Sequence, residues 1–280
     1  RIMVARATLP LLALAATLFA TAAHAESGDW ETLAKRSAAL RAEGRLDEAL
    51  AVAERALSAA EASYGPNHPN VANSLQCIAV LHEEQGRLAE AERFCKRSLS
   101  MYERIHGPDH SAVAASLHNL AAIYSSQGKH AAAEPLYRRS LAIKERVLGT
   151  NHADVAMTIH HLAELCRAQD RLAEAERLCR RSLAIREKTL EPTHIDRSRS
   201  LDLLVGIYVA QERYADAEPP CRRSLAIKEK ALGPDHLDVA GSLDDLAGIL
   251  IAREKFSDAE PPCRRALEMY RKGLGSDHPA

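Results

Sequence analysis

The sequence has little net charge and few aromatic residues. Its 37 basic and 38 acidic side chains nearly cancel, leaving a formal charge of −1 across 280 residues. No overall field therefore draws it to nucleic acid or to an anionic membrane. Aromatics make up 4% of the chain, and no aromatic ladder accompanies its arginines, which leaves no stacking platform for bases. A glycine-rich phosphate loop, an H-E-x-x-H helix and a G-x-S-x-G elbow are all missing. "HEEQG" at His82 carries a glutamate but lacks the second histidine. No catalytic constellation or cofactor motif is present, so the chain is expected not to be an enzyme and to need no cofactor.

Long apolar runs are also scarce. One opens the chain, in "RIMVARATLPLLALAATLFATAAHA", after Arg1 and around Arg6, and ends at Ala23-His24-Ala25. A basic start, an apolar stretch and an A-x-A site predict a signal peptide over residues 1–25, cut after Ala25. The run is short for a membrane span, and no Cys follows it for lipid attachment. The mature protein is expected to be exported, to a bacterial periplasm or beyond. Membrane attachment is expected only if this segment stays uncleaved.

What the sequence has in abundance is repetition. "GPDHSAVAASL" begins at Gly107 and "GPDHLDVAGSL" at Gly233. His68, His110, His152, His194, His236 and His278 recur every 42 residues. "RRSLAI" occurs at Arg138, Arg180 and Arg222. A period of this size means a stacked array. It divides the chain into repeats at 65–106, 107–148, 149–190, 191–232 and 233–274, a divergent block at 26–64 and a tail at 275–280. Arg36 and Ser37 stand where other blocks have Leu and Ala, as suits a polar capping repeat. The tail "GSDHPA" opens a further repeat without a solvating helix, so the last apolar face invites self-association or another partner.

Each block predicts two helices, from a composition dominated by Leu, Ala, Glu and Arg. In the block from Gly107, Asp109 is the expected N-cap, with Asn67, Asn151, Thr193 and Asp235 in the same place elsewhere. The first helix should bury Leu117, Leu120, Ala121, Ile123 and Tyr124, and the second Ala133, Tyr137, Leu141 and Leu148. Gly128 separates the two. Gly149, like Gly65, Gly107, Gly233 and Gly275, should close a second helix in a left-handed conformation. Asp170, Glu212 and Glu254 replace the inter-helix glycine, so those turns are expected to differ. Pro135, Pro219, Pro220, Pro261 and Pro262 should delay or bend their helices.

Several columns invite chemistry. Glu92/Lys96, Glu134/Arg138, Glu176/Arg180, Glu218/Arg222 and Glu260/Arg264 are spaced i,i+4 and read as a solvated helix face. One metal ion cannot bridge histidines a repeat apart, so the His column reads as a structural junction. His160, His161 and Glu164 form a denser cluster. Cys95, Cys179, Cys221 and Cys263 occupy the slot of Tyr137 and are expected to be buried hydrophobes, too far apart for disulfides.

"L-x-x-L-A-x-I-Y-x-x-Q-G-K-x-x-x-A-E-P-L-Y-R-R-S-L", from Leu117 to Leu141, resembles a tetratricopeptide repeat. The 42-residue period and "GPDHPDVA"-like junctions are similar to the kinesin-light-chain type, over about residues 30 to 274. The resemblance implies an all-α fold, a right-handed superhelix or α-solenoid of about six helix pairs. It implies a non-catalytic scaffold that binds a protein or extended peptide, and not nucleic acid, in a concave groove. That groove should be lined by first helices: Asn73, Gln76, Cys77 and Glu84, then His118, Asn119 and Ser126. Met157, His160, His161, Glu164 and Arg167 follow, then Arg199 and Asp202, then Asp244 and Asp245. Arg167 and Arg199 are its exceptional cations, so an acidic anchor should dock near them. By the same analogy Cys166 and Cys179 face each other and are a possible disulfide, while Cys77 is free. The alternative is a small-ligand- or metal-responsive regulator built on His160, His161, Glu164 and Arg199.

Overall fold

The computed structural model describes residues 29–274. The expected signal peptide, the tail, Gly275 and His278 lie outside the described residues. Twelve α-helices and no strand occur among the described residues. The chain divides into two units, residues 1–127 and 128–280. The first holds α1 (Trp30–Ala42), α2 (Leu46–Tyr64), α3 (Pro69–Glu84), α4 (Leu88–His106) and α5 (Ser111–Ser126). The second holds α6 (His130–Leu148), α7 (Ala153–Ala168), α8 (Leu172–Thr189), α9 (Ile195–Ala210), α10 (Tyr214–Leu232), α11 (Leu237–Ala252) and α12 (Phe256–Leu274). Within each unit every helix packs on its neighbours in sequence. In the second unit α7 also touches α9, first helix to first helix. This stacking of short-looped helix pairs is an α-solenoid.

The histidine column, and not the residue before it, caps the first helices. His68, His110, His152, His194 and His236 are the N-cap residues, and each Nδ1 accepts from the amide two residues on, at 3.1–3.2 Å. This corrects the expected caps at Asn67, Asp109, Asn151, Thr193 and Asp235, which lie one position too early. The bond fixes the proton of each imidazole on Nε2, because Nδ1 must be the acceptor.

The inter-helix turns do not differ either. Gly44, Gly86 and Gly128 have φ of 73–75°, and Asp170, Glu212 and Glu254 hold φ of 59° in the same place. The next amide donates five residues back in glycine and non-glycine turns alike, as from Arg87 to the His82 carbonyl at 2.8 Å and from Arg213 to the Tyr208 carbonyl at 2.9 Å. This closure satisfies the last carbonyls of the helix and requires a left-handed residue. At the far end of the second helices, Gly65, Gly107, Gly149 and Gly233 have positive φ but extended ψ of 155–171°. They occupy the extended, glycine-only region and not the left-handed helical one. Glu191 replaces this glycine, and α8 ends one residue early, with Leu190 extended at its end.

The prolines do not delay their helices. Pro135 is the sixth residue of α6, and Pro219, Pro220, Pro261 and Pro262 lie equally deep in α10 and α12. Each removes the helical partner of the carbonyl four residues back. Ala131, Ala215 and Asp216, which carry three of those carbonyls, are exposed residues, where solvent is at hand.

Leu117, Leu120, Ala121, Ile123, Ala133 and Tyr137 are buried as expected, whereas Tyr124, Leu141 and Leu148 are half-buried. A column the hydrophobic pattern omits is buried completely: Ser98, Ser140, Ser182 and Ser224. Ser98 donates to the Ala72 carbonyl at 2.9 Å and Ser182 to the Ala156 carbonyl at 2.7 Å, tying second helix to first within a pair. Cys95, Cys179 and Cys221 are buried and point the other way, toward the Ser116, Ser200 and Ser242 carbonyls of the following first helix, at 3.4, 3.1 and 3.6 Å. Cys263 is exposed, which corrects its expected burial: among the described residues no first helix follows α12. Ser37, expected to be part of a polar outer face, is buried and donates to the Ala49 carbonyl at 2.8 Å. Only Arg36 of that pair is exposed.

Candidate functional site

The groove-facing positions behave differently in the two units. In the first, several are spent on structure. Gln76 accepts a hydrogen bond from the Ser116 hydroxyl at 2.8 Å, joining α3 to α5. Asn73 accepts from the Tyr102 hydroxyl. Glu84 is paired with Arg41 at 2.6 Å. His118 is buried, which corrects its place on an open surface, and Asn119 is half-buried. Cys77 and Ser126 are exposed.

In the second unit the same positions open into a pocket of about 690 Å³. One wall is α7, with Asp154, Met157, His160, His161, Glu164 and Arg167. The facing wall is α9, with Asp196, Arg199, Asp202, Leu203 and Gly206; Arg186 of α8 and Leu190 just past its end complete the lining. The sequence-expected residues of the third and fourth full repeats are thus brought together. Asp244 and Asp245 are exposed on α11 and do not line this pocket.

Burial decides the state of each group. His160 is 7% exposed, its Nε2 lies 3.6 Å from Glu164, and its Nδ1 is buried with no hydrogen-bond partner. Burial pushes its pKa down to about 4, so the ring is neutral near pH 7. His161 bonds Glu164 at 2.9 Å through Nδ1 and stacks on Tyr137. Arg199 is paired with Asp196 at 2.9 Å. Asp202 is paired with Lys228 at 2.9 Å and accepts from the Ser224 hydroxyl. Arg167 is exposed and has no ion pair among the described residues; its Nη1 comes within 3.8 Å of where a Gly206 side chain would start.

Sequence reasoning missed a set of cations that second helices send beneath this face. Lys144 donates to the Thr158 hydroxyl at 2.9 Å, Arg186 to the Ser200 hydroxyl at 2.7 Å and Lys228 to the Ser242 hydroxyl at 2.7 Å. Burial pushes the Lys144 pKa down to about 8 and lowers that of Arg186. The signal was present in "SLAIKE" and "SLAIRE": Tyr137, Ser140 and Lys144 fall at i, i+3 and i+7, on one buried helical stripe.

The second-helix arginines are answered more completely than spacing predicts. The expected i,i+4 pairs form, as in Arg138–Glu134 at 2.7 Å and Arg222–Glu218 at 2.9 Å. The basic residue that follows reaches the preceding repeat in four blocks: Arg97 to Glu61 at 3.0 Å, Arg181 to Glu145, Arg223 to Glu187 at 2.5 Å and Arg265 to Glu229 at 2.5 Å. Among the described residues no three His, Cys, Asp or Glu side chains gather as a metal site. Cys166 and Cys179 are separate, buried free thiols. The Cys179 thiol is directed at the Ser200 carbonyl and not at Cys166.

The tetratricopeptide repeat family model matches residues 12–87, 73–146, 154–230 and 203–272. The first match begins inside the segment read as a signal peptide. No curated protein compared with the sequence matches it. Among solved structures, a putative kinesin light chain from Podosopora anserina, with nearly identical tetratricopeptide-like repeats, is 25% identical. That likeness covers 74% of this chain and 98% of that one, with a TM-score of 0.65. BtubC (BKLC) from P. vanneervenii is 19% identical, covering 84% of this chain and 94% of that one, with a TM-score of 0.71. A Rap protein complexed with competence and sporulation factor is 14% identical, covering 87% of this chain and 75% of that one, with a TM-score of 0.62.

Proposed function

Because the chain belongs to the tetratricopeptide repeat family, we propose that it is a non-catalytic scaffold that binds a protein or an extended peptide on its first helices. The pocket between α7 and α9 is its principal seat. The observation that carries this reading is the 690 Å³ pocket itself, lined by charged and apolar groups where the first unit spends the same positions on internal bonds. A mixed lining is what orients a bound segment: apolar walls supply burial and a few polar groups supply register. Met157, Leu190 and Leu203 are the apolar part. One structure of similar fold is a complex, that of the Rap protein with competence and sporulation factor.

Gly206 supplies the test. It lies in helix α9, has no backbone strain, and an added β-carbon would meet only the far end of Arg167 at 3.8 Å. Gly206→Leu should obstruct the α9 wall of the pocket beside Arg167 without a helix-propensity cost, since Gly costs a helix roughly 0.5–1 kcal/mol relative to Ala. Dodecapeptides selected from a random phage-displayed library on the full chain should bind this variant at least tenfold more weakly, about 1.4 kcal/mol. Arg177→Glu, on the exposed face of α8, should leave them within about threefold. Peptides that ignore Gly206→Leu and are lost on Arg177→Glu would place binding on the second helices.

Export is proposed on the character of residues 1–25 alone. N-terminal sequencing of the protein from its native envelope should begin at Glu26, and a retained leader would overturn the proposal.

A further inference from the structure

Resting on the groove reading, we infer that the histidine caps make the pocket a pH-responsive seat, which grips a bound segment at neutral pH and releases it on mild acidification. Both walls begin at such a cap. Nδ1 of His152 accepts from the Asp154 amide at 3.1 Å to start α7, and Nδ1 of His194 accepts from the Asp196 amide at 3.2 Å to start α9. Asp154 and Asp196 themselves line the pocket. An Asn or Ser cap accepts at any pH near neutrality, whereas an imidazole accepts only while Nδ1 is bare. A proton there sets N–H against N–H, and the helix N-terminus disfavours the added charge as well. Histidine as a class takes up its proton near roughly pH 6.5. The cap bond is therefore present above that range and lost as pH falls through it.

The pocket feels this loss through the residues two positions on. The Asp154 carboxylate stands 3.9 Å from Nδ1 of His152, and the Asp196 carboxylate 3.8 Å from Nδ1 of His194. Each is an acceptor for the new N–H. In the first unit Asn70 and Ala112 hold those places. Asp196 is pinned three ways: its amide by His194, its carboxylate by Arg199 at 2.9 Å and its carbonyl by Arg186 at 2.7 Å. Turning toward an imidazolium draws it from Arg199 and rearranges the rim of the α9 wall. The neighbouring helices offer no substitute. Lys144 of α6 bonds Thr158, Lys228 of α10 is paired with Asp202 at 2.9 Å, and Glu187 of α8 lies 3.7 Å from Arg197. Burial puts Lys144 at about 8 and His160 at about 4, so neither changes its charge much between pH 7 and 5.5. His161, held by Glu164 at 2.9 Å on the α7 wall, is the rival source of a response in that interval.

The test has one arm with a ligand and one without. Acetylated, histidine-free dodecapeptides selected on the full chain at pH 7 are titrated calorimetrically at pH 7 and 5.5. The proteins are the wild type, His152→Asn/His194→Asn, His161→Gln and Gly206→Leu. Asn is among the strongest caps and does not titrate. The wild type and His161→Gln should bind at least fivefold more weakly at pH 5.5, about 1 kcal/mol, and the Asn variant less than twofold. On the free protein, hydrogen exchange at the starts of α7 and α9, corrected for the intrinsic rate at each pH, should quicken in the wild type and not in the Asn variant. Should the double variant melt early, His194→Asn alone should abolish the change at α9 and keep it at α7. A response that persists in the Asn variants, or vanishes in His161→Gln, overturns the caps, as does exchange that ignores pH in the wild type. Binding that ignores pH while exchange follows it overturns the release; the groove reading then stands if Gly206→Leu still blocks those peptides. If Gly206→Leu does not block them, the groove reading falls and the release with it, whatever exchange shows.

Discussion

Asp170, Glu212 and Glu254 hold a left-handed backbone that their side chains resist, at φ of 59°. The equivalent Gly44, Gly86 and Gly128 hold it freely. A β-carbon there costs roughly 1–2 kcal/mol, less for Asp than for Glu. Gly lowers that strain but loosens the unfolded chain by about 0.4–1 kcal/mol. Glu212→Gly and Glu254→Gly should each stabilise the second unit by up to about 1 kcal/mol, Asp170→Gly by less, read as higher melting temperatures. Lower temperatures would show that the carboxylates stabilise these turns in another way. His160 supplies a pH dependence. Burial takes its pKa from 6.5 to about 4; Glu164 opposes that shift, while Arg186, His161 and Arg199 add to it. Between those values the unfolded chain binds the proton and the folded chain does not, so stability falls as pH falls through this window and is untouched above it. From pH 7 to 5 the wild type should lose roughly 2 kcal/mol more than His160→Gln, by this linkage. Equal losses in urea melts at the two pH values would show that His160 is not held neutral.

The helices show what periodicity can and cannot read. Their number, their pairing and most of their buried stripe follow from a 42-residue repeat and a 3.6-residue period, because both record burial directly. Caps were misplaced by one residue. Asp109 ranks above His110 as a capping type, and the choice between adjacent polar residues depends on backbone angles that composition does not carry. His110 itself is extended at φ −84° and ψ 152°, the geometry a cap needs. The Ser98, Ser140, Ser182 and Ser224 column escaped because a hydroxyl counts as polar in any pattern, yet its buried hydrogen bond to a helix carbonyl makes it a packing residue. Lys144, Arg186 and Lys228 escaped for the same reason: charge hid their place on a buried stripe. The groove was therefore legible only in its first-helix half. Its second-helix cations needed the fold.

The chain as a whole keeps its buried columns uniform and lets its groove positions vary. Gln76, His118, His160, Asp202 and Asp244 occupy one such position in successive repeats. The second-helix slot of Cys95, Tyr137, Cys179, Cys221 and Cys263 carries sulfur in both units, which makes thiols reporters of packing. Burial pushes the thiols of Cys95, Cys179 and Cys221 up to about 12 and raises that of buried Cys166. A thiol held protonated and out of solvent does not attack a disulfide reagent, since the thiolate is the nucleophile. Cys77 and Cys263 are exposed; partial burial of its sulfur raises the Cys77 thiol too, so Cys77 is the slower of the two. Titration of the folded protein with an aromatic disulfide at pH 8 should therefore release colour in two classes. Two thiols should react quickly, and four should react only when the solenoid opens in denaturant, giving six in all. Leu162→Ala, which removes a side chain 1% exposed in α7, should move Cys166 and Cys179 toward the fast class while Cys95, in the other unit, stays slow. A total of four or fewer under denaturing, non-reducing conditions would mean that a disulfide exists. The most economical pair would then be Cys166 and Cys179, with α7 and α8 closer at that level than the present packing allows.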